Sequence, residues 1–152
     1  MTDVRRATPA DAAVLGRLLW EFNTEFDTDT DPADVLAERF ARLLARRDDV
    51  IALLAGDDDG FAFLTLRPAI WFDGPVAQLE ELYVAPTLRD QGVGTDLLDT
   101  VRSLVRELGA PEMHINVDEV DAGTRRFYER HGFVTIEDGT DYRMLCYIGP
   151  TG

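Results

Sequence analysis

The chain has no lysine, a single serine (Ser103), a single cysteine (Cys146) and two histidines (His114 and His131) in 152 residues. Each shortage closes off a chemistry. Without lysine there is no Gly-Lys-Ser/Thr ending for a phosphate-binding P-loop. One cysteine excludes an internal disulfide framework and any multi-thiolate metal centre. Ser103 falls in a helical pattern, with no strand–turn setting for a nucleophile. The histidines have no partner at metal-ligand spacing, so no metal is expected. No apolar run approaches membrane-spanning length, and no membrane association is expected. Met1 to Arg6 leads straight into a folded pattern rather than a secretory signal, which makes the cytoplasm the default expectation.

What is present is ordinary for a globular chain: 45% hydrophobic and 29% charged residues. The length fits one domain over residues 1–152 with a buried core. All 15 basic residues are arginine, and the net charge is −14. A surface of that sign repels nucleic acid and attracts a cationic partner such as an amine. Five acids between Glu21 and Asp31 (Glu21, Glu25, Asp27, Asp29, Asp31) suit a cationic small molecule or a solvated loop.

Hydrophobic periodicity gives the order of elements. A short strand at Asp3–Ala7 precedes a helix that starts at Thr8-Pro9, a threonine cap followed by proline at the first helical position. Asp31-Pro32 opens a second helix carrying Val35, Leu36, Phe40, Leu43 and Leu44 on one side. Val50–Ala55 and Phe61–Leu66 form a probable hairpin about the turn Asp57-Asp58-Asp59-Gly60. A strand over Val76–Val84 leads to a glycine loop and a helix ending near Leu108, stopped by Gly109-Ala110-Pro111. A strand at Met113–Val117, a short helix from Asp121 to Gly132 and two strands at about Phe133–Ile136 and Tyr142–Ile148 complete the pattern.

The glycine loop carries the most information. Arg89-Asp90-Gln91-Gly92-Val93-Gly94-Thr95 joins an apolar strand to an amphipathic helix. Glycines there let the backbone approach a ligand, and the first helical turn offers unpaired N–H groups at a positive dipole end. A dinucleotide fingerprint would need a third glycine where this chain has Leu97. The loop instead resembles motif A of the GCN5-related N-acetyltransferases (GNAT), Gln/Arg-x-x-Gly-x-Gly/Ala after a strand. Thr124-Arg125-Arg126-Phe127-Tyr128-Glu129-Arg130-His131-Gly132-Phe133 resembles the later motif of the same family. The two stand in family order and separation.

The resemblance implies an α/β (α+β) fold with a mixed, mostly antiparallel sheet of about seven strands, flanked by about four helices and splayed between the fourth and fifth strands. It implies acetyl-coenzyme A as co-substrate and an amine acceptor, with acetyl moved by direct attack in a ternary complex. Backbone from Gln91, Gly92, Val93, Gly94 and Thr95, with Arg89, would hold the pyrophosphate. Leu82, Tyr83 and Val84 would pair with the pantetheine arm, the Leu82 N–H facing the thioester carbonyl. Glu80 or Glu81 would take the amine proton; regular strand alternation puts them on opposite faces, and Glu80 is favoured unless a bulge alters the parity. Tyr128 would protonate the departing thiolate. Where the family often has asparagine and a small residue three apart, this chain has Asp121 and Thr124. An Asp121 contact to the coenzyme is therefore in question, and Asn116 is a second polar group nearby. The alternatives are an acyl-coenzyme A sensor without turnover and a transferase of longer acyl groups. A homodimer is compatible with the family.

Overall fold

The computed structural model describes residues 1–152, which divide into two compact units, Met1–Ile115 and Asn116–Gly152. The first unit is built on a five-stranded sheet in chain order: β1 (Val4–Arg6), β2 (Val50–Ala55), β3 (Gly60–Arg67), β4 (Val76–Val84) and β5 (Met113–Ile115). Strands β1 to β4 are antiparallel, and β5 runs parallel to β4. A parallel neighbour needs a crossover, which the helix α3 (Val93–Glu107) supplies.

Helices α1 (Ala12–Glu25) and α2 (Ala33–Arg46) precede β2. Thr8 and Asp11 close a capping box around the 3-10 turn Pro9–Asp11 that leads into α1. Leu15, Leu18 and Phe40 of these helices pack in one buried cluster with Ala52, Leu54, Phe61 and Tyr83 of the sheet. All six residues of β2 are buried. Alternation leaves Ile51 and Leu53 for the other face, where α3 buries Leu97, Leu98 and Val101. A strand covered on both sides has to be apolar throughout, which is why Val-Ile-Ala-Leu-Leu-Ala shows no polar alternation.

The crossing of α1 and α2 depends on Gly16. A Cβ there would lie 2.6 Å from the Ala33 carbonyl oxygen and the Ala37 nitrogen, both backbone atoms. Neither can yield without moving the helix.

The second unit holds one helix, α4 (Ala122–Arg130), capped by Asp121, whose side chain accepts the Thr124 N–H at 3.1 Å. Tyr128 is 8% exposed and meets the Phe127 and Phe133 rings edge-on. The strands expected at Phe133–Ile136 and Tyr142–Ile148 are not formed, so the sheet has five strands rather than about seven. The reversal between them is there: the Thr140 N–H donates to the Glu137 carbonyl, Gly139 takes φ +85°, and the Met144 N–H reaches the Thr135 carbonyl at 2.9 Å. Val134, Ile136, Tyr142, Leu145, Tyr147 and Ile148 all remain exposed. Two legs without a buried face do not sustain a ladder.

Gly16→Ala should destabilise the fold by about 1–3 kcal/mol, the usual cost of overpacking. Helix propensity alone favours alanine by about 1 kcal/mol, so a gain in stability would show that the crossing relaxes. The denaturation midpoint measures the sign.

Candidate functional site

The site in the first unit begins where β4 loses a neighbour. On one side β4 pairs with β3 along its whole length; on the other it meets β5 only at Ala77, Gln78 and Leu79. From Glu80 to Val84, β5 provides no partner. The Ala85 N–H donates to the Asp59 carbonyl beyond β3, which sets the alternation. Counting back, Leu82 and Val84 turn their N–H groups away from β3, toward the open edge. The Val84 carbonyl on that edge accepts Arg89 Nε at 3.0 Å. The Tyr83 side chain, 4% exposed, stacks on Phe22 at 5.1 Å, so only its backbone borders the opening.

A bulge falls at the same place. Phe63 faces Glu81 and Leu64 faces Leu79, which leaves Glu80 without an opposite residue. The parity argument that favoured Glu80 assumed a regular strand, and the extra residue removes that premise. Both carboxylates line one cavity of about 570 Å³, walled by α1, α2 and strands β2 to β4. Glu80 is exposed, and its Oε1 accepts the Thr65 hydroxyl at 2.9 Å. Glu81 is half-buried. Burial, with the Glu80 charge beside it, pushes its pKa up to about 7. The apolar walls include Leu19, Leu36, Phe40, Leu43 and Phe63, with the Phe40 and Phe63 rings edge-on at 5.3 Å. Sequence reasoning missed Phe40, Phe63, Thr65 and Arg67 as site residues. They lie on separate elements and form no local motif.

The glycine loop leaves β4 through the 3-10 turn Pro86–Leu88. Asp90 and Gly92 both take positive φ, +61° and +89°. Gly92 is the N-cap of α3, and the Asp96 N–H returns to its carbonyl at 2.9 Å. The N–H groups of Gly92, Val93 and Gly94 therefore precede the first helical bond, at the positive end of the dipole. Gly94 sits inside the helix and needs no unusual φ. Gln91 donates from its side chain to the Thr87 carbonyl at 3.1 Å, which braces the loop.

Arg89 is held elsewhere than at the loop's N–H groups. Its two terminal nitrogens grip the Glu25 carboxylate at 2.6 and 2.8 Å, and its guanidinium lies against the Phe26 and Tyr83 rings. The end of α1 is thereby tied to the loop. In the second unit, the Asp121 carboxylate serves the α4 cap, and Asn116 Nδ2 donates to Cys146 Sγ at 3.5 Å. No three His, Cys, Asp or Glu side chains converge as metal ligands.

A mixed, mostly antiparallel sheet that opens beside its fourth strand, followed by a glycine-led helix, defines the acyltransferase class that the motifs resemble. The acetyltransferase (GNAT) family model matches residues 13–133, and the chain belongs to this family. It is 27% identical over 137 residues to the D-amino-acid N-acetyltransferase HPA3 of Saccharomyces cerevisiae, covering 87% of this chain and 84% of that protein. It is 30% identical over 136 residues to the aminoglycoside N(6')-acetyltransferase type 1 of Klebsiella aerogenes, with the same coverages of 87% and 84%. Among solved structures, a protein named as a candidate acetyltransferase from Arthrobacter sp. FB24 superposes with a TM-score of 0.92 at 46% identity. That match covers 99% of this chain and 96% of the other. The activity class is N-acetyl transfer. No helix is long and apolar enough to cross a membrane.

Gly92→Ala meets no atom within 4 Å, so only its φ opposes the substitution. A loss of about 1–2 kcal/mol in denaturant unfolding is expected from a left-handed residue with a Cβ. An unchanged midpoint would mean that the loop can adopt another conformation.

Proposed function

We propose that this chain moves the acetyl group of acetyl-coenzyme A to a primary amine bound in the cavity in front of Glu80 and Glu81. The observation that carries this reading is the coincidence on β4 of an open strand edge and a half-buried carboxylate whose pKa lies near 7. The coenzyme supplies the acetyl group as a reactive thioester; the chain supplies position and proton transfer.

The open edge fits the coenzyme's amide-bearing arm as an added strand, and the N–H groups of Gly92, Val93 and Gly94 fit its pyrophosphate. Arg89 acts here by fastening the loop to Glu25, and the backbone supplies the anion contacts. Gln91 and Thr95 flank those groups. The Leu82 N–H, turned to the open edge, donates to the carbonyl oxygen as negative charge grows on it.

Attack requires a neutral amine. Glu81 takes the proton, directly or through water, because its pKa near 7 makes it a stronger base than an ordinary carboxylate while it still ionises at neutral pH. Glu80, tied to Thr65, stands beside it and helps to raise its pKa. The nitrogen then bonds to the acetyl carbon and sheds its surplus proton to water, the carbon–sulfur bond breaks, and Tyr128 gives a proton to the departing sulfur and regains one from solvent. Asn116 and Asp121 are secondary coenzyme contacts in this reading, Asp121 the weaker because it caps α4.

Release of free thiol from acetyl-coenzyme A with a panel of primary amines tests the reaction. Coenzyme binding without release from any amine would leave a sensor, not an enzyme.

Three substitutions test the two proton transfers. Glu81 is protonated below about pH 7 and ionised above it, so kcat/KM should rise through an ascending limb near pH 7. Glu81→Gln should remove that limb and lower turnover about a hundredfold at neutral pH. The deficit should shrink at high pH, where the amine is already neutral. Stability gives a control with the opposite sign. The raised pKa means the folded state loses stability as pH climbs from the ordinary carboxylate value through 7, so Glu81→Gln should be no less stable than wild type at pH 8. If Glu80→Gln removes the limb instead, Glu80 is the base. Tyr128→Phe keeps the ring contacts and removes the acid. It should lower kcat about tenfold or more while coenzyme affinity stays unchanged, and an unaltered kcat would make the tyrosine structural.

A further inference from the structure

The acids expected to draw a polycation toward this site are largely engaged. Glu21 pairs with Arg17, Glu25 with Arg89, and Asp31 with Arg39, at 2.8, 2.6 and 2.7 Å. Only Asp27 and Asp29 of that group of five have no ion pair. Surface pairs of this kind contribute little to stability, but they do remove the local excess of negative charge.

Within the cavity the charges also sort into pairs, with one exception on each side. Of its three arginines, Arg39 holds Asp31 and Arg47 holds Asp49. Arg67 has no carboxylate in contact. Its Nη2 meets His114 Nδ1 at 3.0 Å, and His114 Nε2 meets Glu112 at 2.8 Å. For Nδ1 to accept from a guanidinium, the ring must be neutral with its proton on Nε2, directed at Glu112. His114 thus orients Arg67 without neutralising it. Opposite stand Glu80 and Glu81, which have no basic partner. Arg67 lies two residues beyond Thr65 on β3, and Thr65 bonds Glu80. That is a shift of about 7 Å along the strand, within reach of two long side chains closing on one small molecule. Leu19, Leu36, Phe40, Leu43 and Phe63 give the same cavity its apolar walls, and Phe63 faces Glu81 across the sheet.

We propose that the acceptor is a zwitterion of the amino-acid type, an apolar body with a primary amine directed at Glu80 and Glu81 and a carboxylate received by Arg67. This rests on the cavity being the acceptor site of the reaction above. A polyamine or other polycation has nothing to offer Arg67. An amine without an acid leaves that guanidinium unused.

The test compares phenylalanine, phenylalaninamide and spermidine as ligands of the full chain, by calorimetry at about pH 8, where Glu81 is ionised, with the affinity for the amide corrected to its protonated fraction. Wild type should bind phenylalanine about tenfold more tightly than its amide, the worth of one charge-assisted contact. Arg67→Gln should abolish that difference by weakening the acid alone; unchanged amide affinity reports that the variant is folded. Equal affinity for acid and amide in wild type, acid preference that survives Arg67→Gln, or spermidine binding tighter than both would each overturn the proposal. The wild-type ratio decides without any variant. Thiol release is read separately: failure with every amine counts against acetyl transfer, while the calorimetric ratio judges the acceptor class.

Discussion

Everything at this site depends on a strand that is paired unequally on its two sides. β4 is held by β3 from end to end, and β5 leaves it after Leu79. Backbone N–H and C=O groups must find partners, so an edge that opens inside a sheet is costly unless something fills it. The open stretch begins where the bulge leaves Glu80 unopposed. The early departure of β5 leaves main-chain donors open on one edge, and on the β3 side the bulge falls at the two carboxylates that line the cavity. The same strand delivers the chain to the glycine loop, so the open edge, the acidic pair and the helix-leading glycines are consecutive in sequence.

The rest of the first unit fixes that strand in place. Apolar β2 is buried from both faces, α1 and α2 cover one side of the sheet, and the crossover α3 covers the other. Gly16 lets α1 and α2 approach closely, and both helices contribute walls to the cavity. Arg89 ties the end of α1 to the loop that opens α3 through Glu25, with two rings against its guanidinium. The chain's charge of −14 hides a site where most charges are matched and where Arg67 and the Glu80–Glu81 pair are the unmatched ones.

Much of this was legible in the residues. The spans Val50–Ala55 and Val76–Val84 appear as expected, because apolar runs bounded by turn residues have few alternatives. The helix that begins at Asp121 and the glycine loop that opens α3 were equally local signals. The motifs named the family, since they join residues that are neighbours in sequence. The two last strands, expected at about Phe133–Ile136 and Tyr142–Ile148, are not formed: apolar residues there favour a strand only if a face is covered, and Val134, Ile136, Tyr142, Leu145, Tyr147 and Ile148 are exposed. The face of Glu80 and Glu81 was undecidable because a bulge arises from the register of two strands, which neither strand encodes alone.

The sequence by itself determined the order of elements as far as α4, the glycine loop, the acidic pair and the tyrosine after Phe127, all set by short-range spacing and backbone preference. Tertiary structure alone decided which glutamate is buried, that Arg89 is bound to Glu25, and that Phe40, Phe63 and Arg67 share a cavity with the acidic pair. The physical reason is that burial, pKa and charge pairing are properties of surroundings. Those surroundings come from α2, β3 and β4, which only folding brings together.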